Sequence, residues 1–295
     1  MSETTPGEAG PGFPPPGSCD CHVHVIGPKS RYPLAAVRSY TPADAPAEVL
    51  RAMMDRVGVE RAVIVQTSIF GTDNACMLDG LAALGGAARG VAVPGPEAPS
   101  GELGAMHALG VRGIRLNTVS SGTPSADVLS AQIRAAAEQC ARQNWHLQIF
   151  AVPPIIEAVA PTLSQLPVPV VFDHFGMVRP EHGESEALRI ISRLMEEGRA
   201  WVKLSGFYRI AADAFDPAIG ALARRFVSAN PEQAVWASDW PHTPPHKDQP
   251  ADKHEETPYR DVDTRGLLYR LQDWFEPRQL RQILVDNPAR LYDFA

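Results

Sequence analysis

The sequence predicts an α/β fold, a single closed (β/α)8 TIM-type barrel, and three observations carry that expectation. Eight short runs rich in valine and isoleucine recur along the chain, several apolar almost throughout, as strands buried on both faces are. Amphipathic segments of helical period separate them, so the strands pair in parallel through right-handed crossovers. No glycine-rich phosphate turn follows the first run, which favours a closed barrel over an open dinucleotide-binding sheet.

Residues 1–17, MSETTPGEAGPGFPPPG, read as a disordered or loosely held tail, because their proline and glycine content leaves little to bury. They lack the basic start and apolar run of a signal peptide. The barrel itself is expected over residues 18–295. Its strand runs are CDCHVHV (19–25), RAVIVQTS (61–68), RGVAVP (89–94), RGIRLN (112–117) and HLQIF (146–150). VPVVFDHF (168–175), AWVKLSG (200–206) and QAVWASDWPH (233–242) complete the set. The first helix, within DAPAEVLRAMMDRVG, is expected to start at Asp44 as N-cap and stop at Gly58. SADVLSAQIRAAAEQCARQN, GESEALRIISRLMEEG and DPAIGALARRFVSAN follow the same logic. A long polar loop and a helical tail ending DNPARLYDFA follow the eighth run, with no second domain.

Composition narrows the function. The chain has 295 residues, 44% hydrophobic and 21% charged, an ordinary globular balance able to form a core without disulfides. Its net charge of −7 argues against a nucleic-acid partner, which wants a basic face. No run reaches the roughly 18–20 apolar residues of a membrane span. Four cysteines without a secretory signal point to reduced thiols and a cytoplasmic location.

In a barrel of this kind chemistry sits at the C-terminal ends of the strands, and this chain puts polar residues there. They are His22, His24, Gln66, Ser68, Arg115, Asn117, Gln148, His174, Lys203, Asp239 and His242. Each would cost about 1–3 kcal/mol if buried unpaired, so their recurrence at one end points to a shared polar pocket. Along CDCHVHV, side chains alternate between faces. His22 and His24 then point into the barrel, while Cys19 and Cys21 are expected to pack outward against the helices. His146, at the N-terminal end of its strand, reads as structural. His242, His246 and His254 fit no metal-ligand spacing, although His242 is close enough to border the pocket.

An HxH on the first strand, FDHFG on the sixth, SDWPH on the eighth and the closing NPARLYDF resemble the amidohydrolase superfamily. Within it the resemblance is to 2-pyrone-4,6-dicarboxylate hydrolase-like lactonases. It covers residues 18–295 and includes RAVIVQTSIFGTDN and VRGIRLN. It implies a hydrolase acting on a cyclic ester in aromatic-compound degradation, with a small anionic lactone as its partner.

A two-metal version of this family needs a carboxylate on the fourth strand and a histidine on the fifth. Arg115 and Gln148 stand nearest, and neither suits a metal. No cofactor is therefore expected to be required; the alternative is one Zn2+ at His22, His24, His174 and Asp239. In the metal-free reading Asp239 is the general base, its pKa raised by a partly dehydrated cavity, unless an ion pair with a barrel lysine such as Lys203 claims it. His22, His24 and His174 would donate hydrogen bonds to the ester carbonyl. Arg115 and Arg209 are expected to clamp substrate carboxylates, with Arg209 on a loop over the mouth. Tyr40 and Ser68 follow from the resemblance as neutral donors, and Gln148 is expected to contact substrate.

The chain departs from the resemblance at Ser120 and Ser121, where a second basic residue is expected, and in QIF, which lacks a tyrosine. Both point to a substrate with one carboxylate, or with a second one differently placed. A sugar-acid lactonase, a lactone isomerase and a metal-dependent nonoxidative decarboxylase stay open as alternatives, as does a homo-oligomer.

Overall fold

The eight apolar runs form eight parallel strands, and their order around the sheet is their order in the chain. The structure is a computed structural model in which residues 12–119, 125–244 and 255–295 are described. The first half runs β1 Cys19–Val23, α1 Ala47–Val57, β2 Arg61–Val65, α2 Ala75–Leu84, β3 Ala88–Ala92, α3 Ser100–Ala108, β4 Val111–Asn117 and α4 Ala126–Gln143. The second half runs β5 His146–Phe150, α5 Pro153–Leu163, β6 Val170–Phe172, α6 Glu186–Glu196, β7 Ala200–Leu204, α7 Phe207–Ile210, α8 Pro217–Ala229 and β8 Ala234–Trp236. Helices α9 Thr264–Tyr269, α10 Pro277–Arg281 and α11 Asn287–Tyr292 end the chain. The barrel closes through a parallel bridge between Val23 and Trp240.

Local sequence explains the helix ends. Ser125, Ser185 and Asp216 each accept a backbone N–H of the helix they precede, satisfying donors that the first turn leaves over. Helix α1 differs from expectation: Pro46, not Asp44, precedes it, and Gly58 ends it in the left-handed region at φ 87°, a conformation free of strain for glycine. Among the described residues no helix is long and apolar enough to cross a membrane.

Apolar packing falls into two layers. The larger gathers the outward side chains of the strands, such as Val23, Ile64 and Phe172, with the helices. The smaller holds Cys19, Cys21, Val63, Val65, Val91, Val171, Trp201 and Val235 with Tyr292 and Phe294. It takes no residue from α1 to α10, and so it is the floor of the barrel interior. Cys19 and Cys21 thus face inward, contrary to expectation. The register of β1 against β2 shifts between Asp20 and Val23, and such a bulge lets Cys21 and His22 share a face that strict alternation separates.

The tail expectation is corrected at its near end. Phe13 packs against the core with its ring edge-on to Tyr269 at 5.4 Å, and Ser18 donates to the Pro15 carbonyl. Residues 1–11 lie outside the described residues, as do Ser120, Ser121, His246 and His254.

Candidate active site

Above the apolar floor the interior turns polar in two tiers. The lower tier comprises Gln148 from β5, Asp173 just after β6, Lys203 from β7 and His22 from β1, all fully buried. Asp173 is its hub. Its Oδ2 accepts from Arg115 Nε at 3.0 Å and Gln148 Nε2 at 3.1 Å. Its Oδ1 lies 3.2 Å from His22 Nδ1 and 3.5 Å from Lys203 Nζ. Lys203 donates to Gln148 Oε1 at 2.7 Å. Burial by itself would raise the Asp173 carboxyl, yet His22, Lys203 and Arg115 together hold it well below the usual carboxylate range.

The upper tier lines a small cavity whose wall includes His24, His174, Asp239, Arg115, Arg209 and Phe150. Tyr40, Thr67, Ser68, Asn117 and Thr243 complete its wall. Asp239 Oδ1 sits 3.8 Å from the Nε2 of each of His22, His24 and His174. Its Oδ2 is taken from the other side, by Arg209 Nε at 2.6 Å and the Tyr208 hydroxyl at 2.8 Å.

Backbone geometry holds this cluster in place. Asp239 donates its N–H to the His22 carbonyl, and His24 donates to the Trp240 carbonyl. Beneath them the buried Asp20 accepts the Ser238 and His22 N–H groups. His174, Asp239 and His242 adopt left-handed φ values of 49°, 67° and 66°, a strain of roughly 1–2 kcal/mol each for a residue with a Cβ. Strain of this kind collects at functional sites. Gly206, at φ +60°, lies so close beneath His174 that a Cβ there would meet Nδ1 at 2.9 Å.

The partners of the imidazoles set their tautomers. His24 Nδ1 is 2.7 Å from the Val65 carbonyl; a carbonyl only accepts, so Nδ1 carries the proton and Nε2 presents a lone pair. His22 Nδ1 faces the ionised Asp173, and its Nε2 is buried with no protein partner among the described residues. Lys203 Nζ, 3.3 Å from that Nδ1, has a closer acceptor in Gln148. His174 Nδ1 lies 2.9 Å from Ser205 Oγ. Burial holds all three rings neutral: His22 well below its ordinary pKa, His24 at about 4 and His174 at about 3.

Several expectations change as a result. His24 presents a bare Nε2 and so cannot donate from it to a carbonyl, and His22 Nε2 faces the Asp239 carboxylate. Burial tends to raise the Asp239 pKa, as expected, but the Arg209 guanidinium outweighs it and leaves the carboxyl well below the usual range. Lys203 pairs with Asp173, not Asp239. Arg209 sits in α7 and is bound to Asp239 and Thr243 instead of waiting free over the mouth. Gln148 does not line the cavity, because both ends of its amide are used below. Arg115, Tyr40 and Ser68 do line it. Arg115 commits only Nε, and no bond from its Nη nitrogens to protein is found among the described residues. His242 is buried behind Asp239 against Tyr208 and Thr264, and His146 lies on the floor beside Tyr292.

Asp173 and Tyr208 were not singled out from sequence. Asp173 is adjacent to His174 in FDHFG, and an aspartate in an otherwise apolar strand was the available signal. Tyr208 follows the strand in a loop-like stretch and gave none.

The donor set suits a cation. His22, His174 and Asp239 offer ligand atoms all within 4.8 Å of one another, where ligands of tetrahedral zinc lie roughly 3.4 Å apart. Two imidazole nitrogens and a carboxylate oxygen converge there. Each of His22 and His24 also gives its other nitrogen's proton to a carboxylate or carbonyl, the outer contact typical of metal-bound histidine. Arg115, which cannot itself ligate a metal, is paired with Asp173. The metal-free expectation therefore lacks support in the geometry.

Comparisons with known proteins identify the family. A family profile described as Amidohydrolase matches residues 19–294. The chain is 33% identical to a 4-sulfomuconolactone hydrolase of Hydrogenophaga intermedia, over 94% of this chain and 89% of that one. It is likewise 33% identical to a 2-pyrone-4,6-dicarboxylate hydrolase of Comamonas testosteroni, over 94% and 90%. A solved structure from Acinetobacter baumannii, described as a probable 2-pyrone-4,6-dicarboxylic acid hydrolase with citric acid bound, superposes with a TM-score of 0.76 at 25% identity. That match covers 94% of this chain and 100% of that one.

Proposed function

Since the chain belongs to the amidohydrolase family, we propose that it is a lactonase that opens a carboxylate-bearing ring ester by attack of water. The observation that carries this reading is the convergence of three Nε2 atoms on Asp239 Oδ1 at a cavity whose wall also carries Arg115. An acid–base centre and an anion clamp then face one small space. The two relatives named for lactone hydrolysis support the same class.

His22, His174 and Asp239, with His24 beside them, would hold one divalent cation such as Zn2+, which supplies polarisation of the ester carbonyl and acidification of water. The chain's own groups do the rest. The Nη edge of Arg115 holds the substrate carboxylate by two parallel hydrogen bonds, and Tyr40 and Ser68 offer neutral donors along the same wall. Asp239, kept ionised by Arg209, takes a proton from water as its oxygen bonds to the ester carbon. The ring C–O bond then breaks, and Asp239 returns the proton to the departing ring oxygen. Phe150 covers the site beside His174, ring to ring at 5.1 Å, and limits solvent.

The test is a panel of lactones, with and without one carboxylate, given to the purified protein before and after exhaustive chelation. Ring opening of the carboxylate-bearing members, abolished by chelation and restored by Zn2+, is the expected result. Failure of the metal-replete protein to open any lactone defeats the reading, and release of CO2 instead would replace it with decarboxylation.

A further inference from the structure

The Asp173 carboxylate is absent from the cavity wall and fully buried, yet it touches two of the groups on which the proposed chemistry depends. We propose that Asp173 is the positioning residue of the site, one carboxylate that sets the tautomer of His22 through Oδ1 and aims Arg115 through Oδ2. The proposal rests on the cation-assisted lactonase reading above and adds the group that readies it.

Three groups with protons to give surround Asp173, namely Arg115 Nε, Gln148 Nε2 and Lys203 Nζ, and His22 Nδ1 lies 3.2 Å from its Oδ1. If Nδ1 of His22 were bare, a lone pair would face an anionic oxygen at 3.2 Å. With the proton on Nδ1, Nε2 is bare and points at Asp239 Oδ1, ready to ligate. The same carboxylate fixes Arg115 by Nε, the one nitrogen that leaves both Nη groups directed elsewhere. Cation site and substrate clamp are therefore registered against each other by a single side chain. Lys203 and Gln148 complete the arrangement from below, where Lys203 supplies a second positive charge beside Asp173.

One readout needs no change at Asp173. In metal-stripped, 15N-histidine-labelled protein, the His22 signal, identified by its loss in His22→Gln, is expected to show a protonated Nδ1 and a bare Nε2. A protonated Nε2 overturns the proposal. In Asp173→Asn, zinc affinity measured by chelator competition is expected to fall about 10–100-fold, with KM rising through Arg115 and kcat falling through His22. Arg115→Gln removes another donor from Asp173 while Gln148 still holds Lys203 away from His22 Nδ1, and should keep zinc affinity near wild type. Unchanged zinc binding in Asp173→Asn, or an equal loss in Arg115→Gln, overturns the positioning role. If the tautomer and zinc affinities behave as stated while no lactone is opened, the substrate reading fails and the positioning role stands.

Discussion

Asp239 shows how far a single residue can be read. Its place at the end of an apolar strand marked it as a candidate, and three imidazole Nε2 atoms lie around its Oδ1. Its protonation could not be read, because that depends on Arg209 and Tyr208, which arrive from a different strand end. The histidines divide the same way: polar atoms in apolar strands revealed His22, His24 and His174, but tautomers are set by Asp173 and the Val65 carbonyl. Asp239→Asn is expected to lower turnover by about 10²–10⁴-fold, measured by steady-state kinetics with folding followed by circular dichroism. Arg115→Lys keeps the charge but loses the two-pronged grip. KM for a carboxylate-bearing lactone should rise about tenfold or more for roughly 1.4 kcal/mol lost, with kcat less affected.

At the scale of elements, all eight strands were legible, since a strand covered on both faces needs a continuous apolar run. The helical segments capped by Ser125, Ser185 and Asp216 were legible too, although those caps were not named. The bulge in β1 was not. It depends on pairing with β2 and Trp240, and a period of two applied to CDCHVHV put both cysteines on the wrong face. The eighth run was overestimated for a related reason: only Ala234–Trp236 are strand, because the following residues bend to present Asp239. The turn from β7 into α7 offers a test. Gly206→Ala adds a Cβ 2.9 Å from His174 Nδ1 at φ +60°. It should cost about 1–3 kcal/mol of stability and reduce activity more than a distant substitution of equal stability cost, as compared by paired melting and rate measurements.

For the whole molecule, the interior chemistry sets an acid limit. Burial lowers His24 and His242 to about 4 and His146 and His174 to about 3, against an ordinary 6.5 in the unfolded chain. Between those values the unfolded state binds more protons, so their contribution is complete above pH 6.5 and is lost as pH falls toward 4. Asp20, raised to about 6 by burial, acts in the opposite sense, but one carboxyl faces four imidazoles. The melting temperature is therefore expected to fall steadily from pH 6.5 toward 4, read by calorimetry across buffers; a flat profile would contradict the burial of these rings. The floor is a second global feature. Tyr292 is fully buried among Cys19, Cys21 and Trp201, and its segment is tied down by Arg89 and Arg112 on Asp293. Tyr292→Ala should destabilise by about 3–5 kcal/mol, seen as a lower denaturant midpoint with substrate affinity nearly unchanged. That sealed floor makes the barrel a blind well. Reactant and ring-opened acid must use one doorway, so the acid cannot leave behind the incoming molecule, and it should act as a competitive inhibitor that slows long reactions.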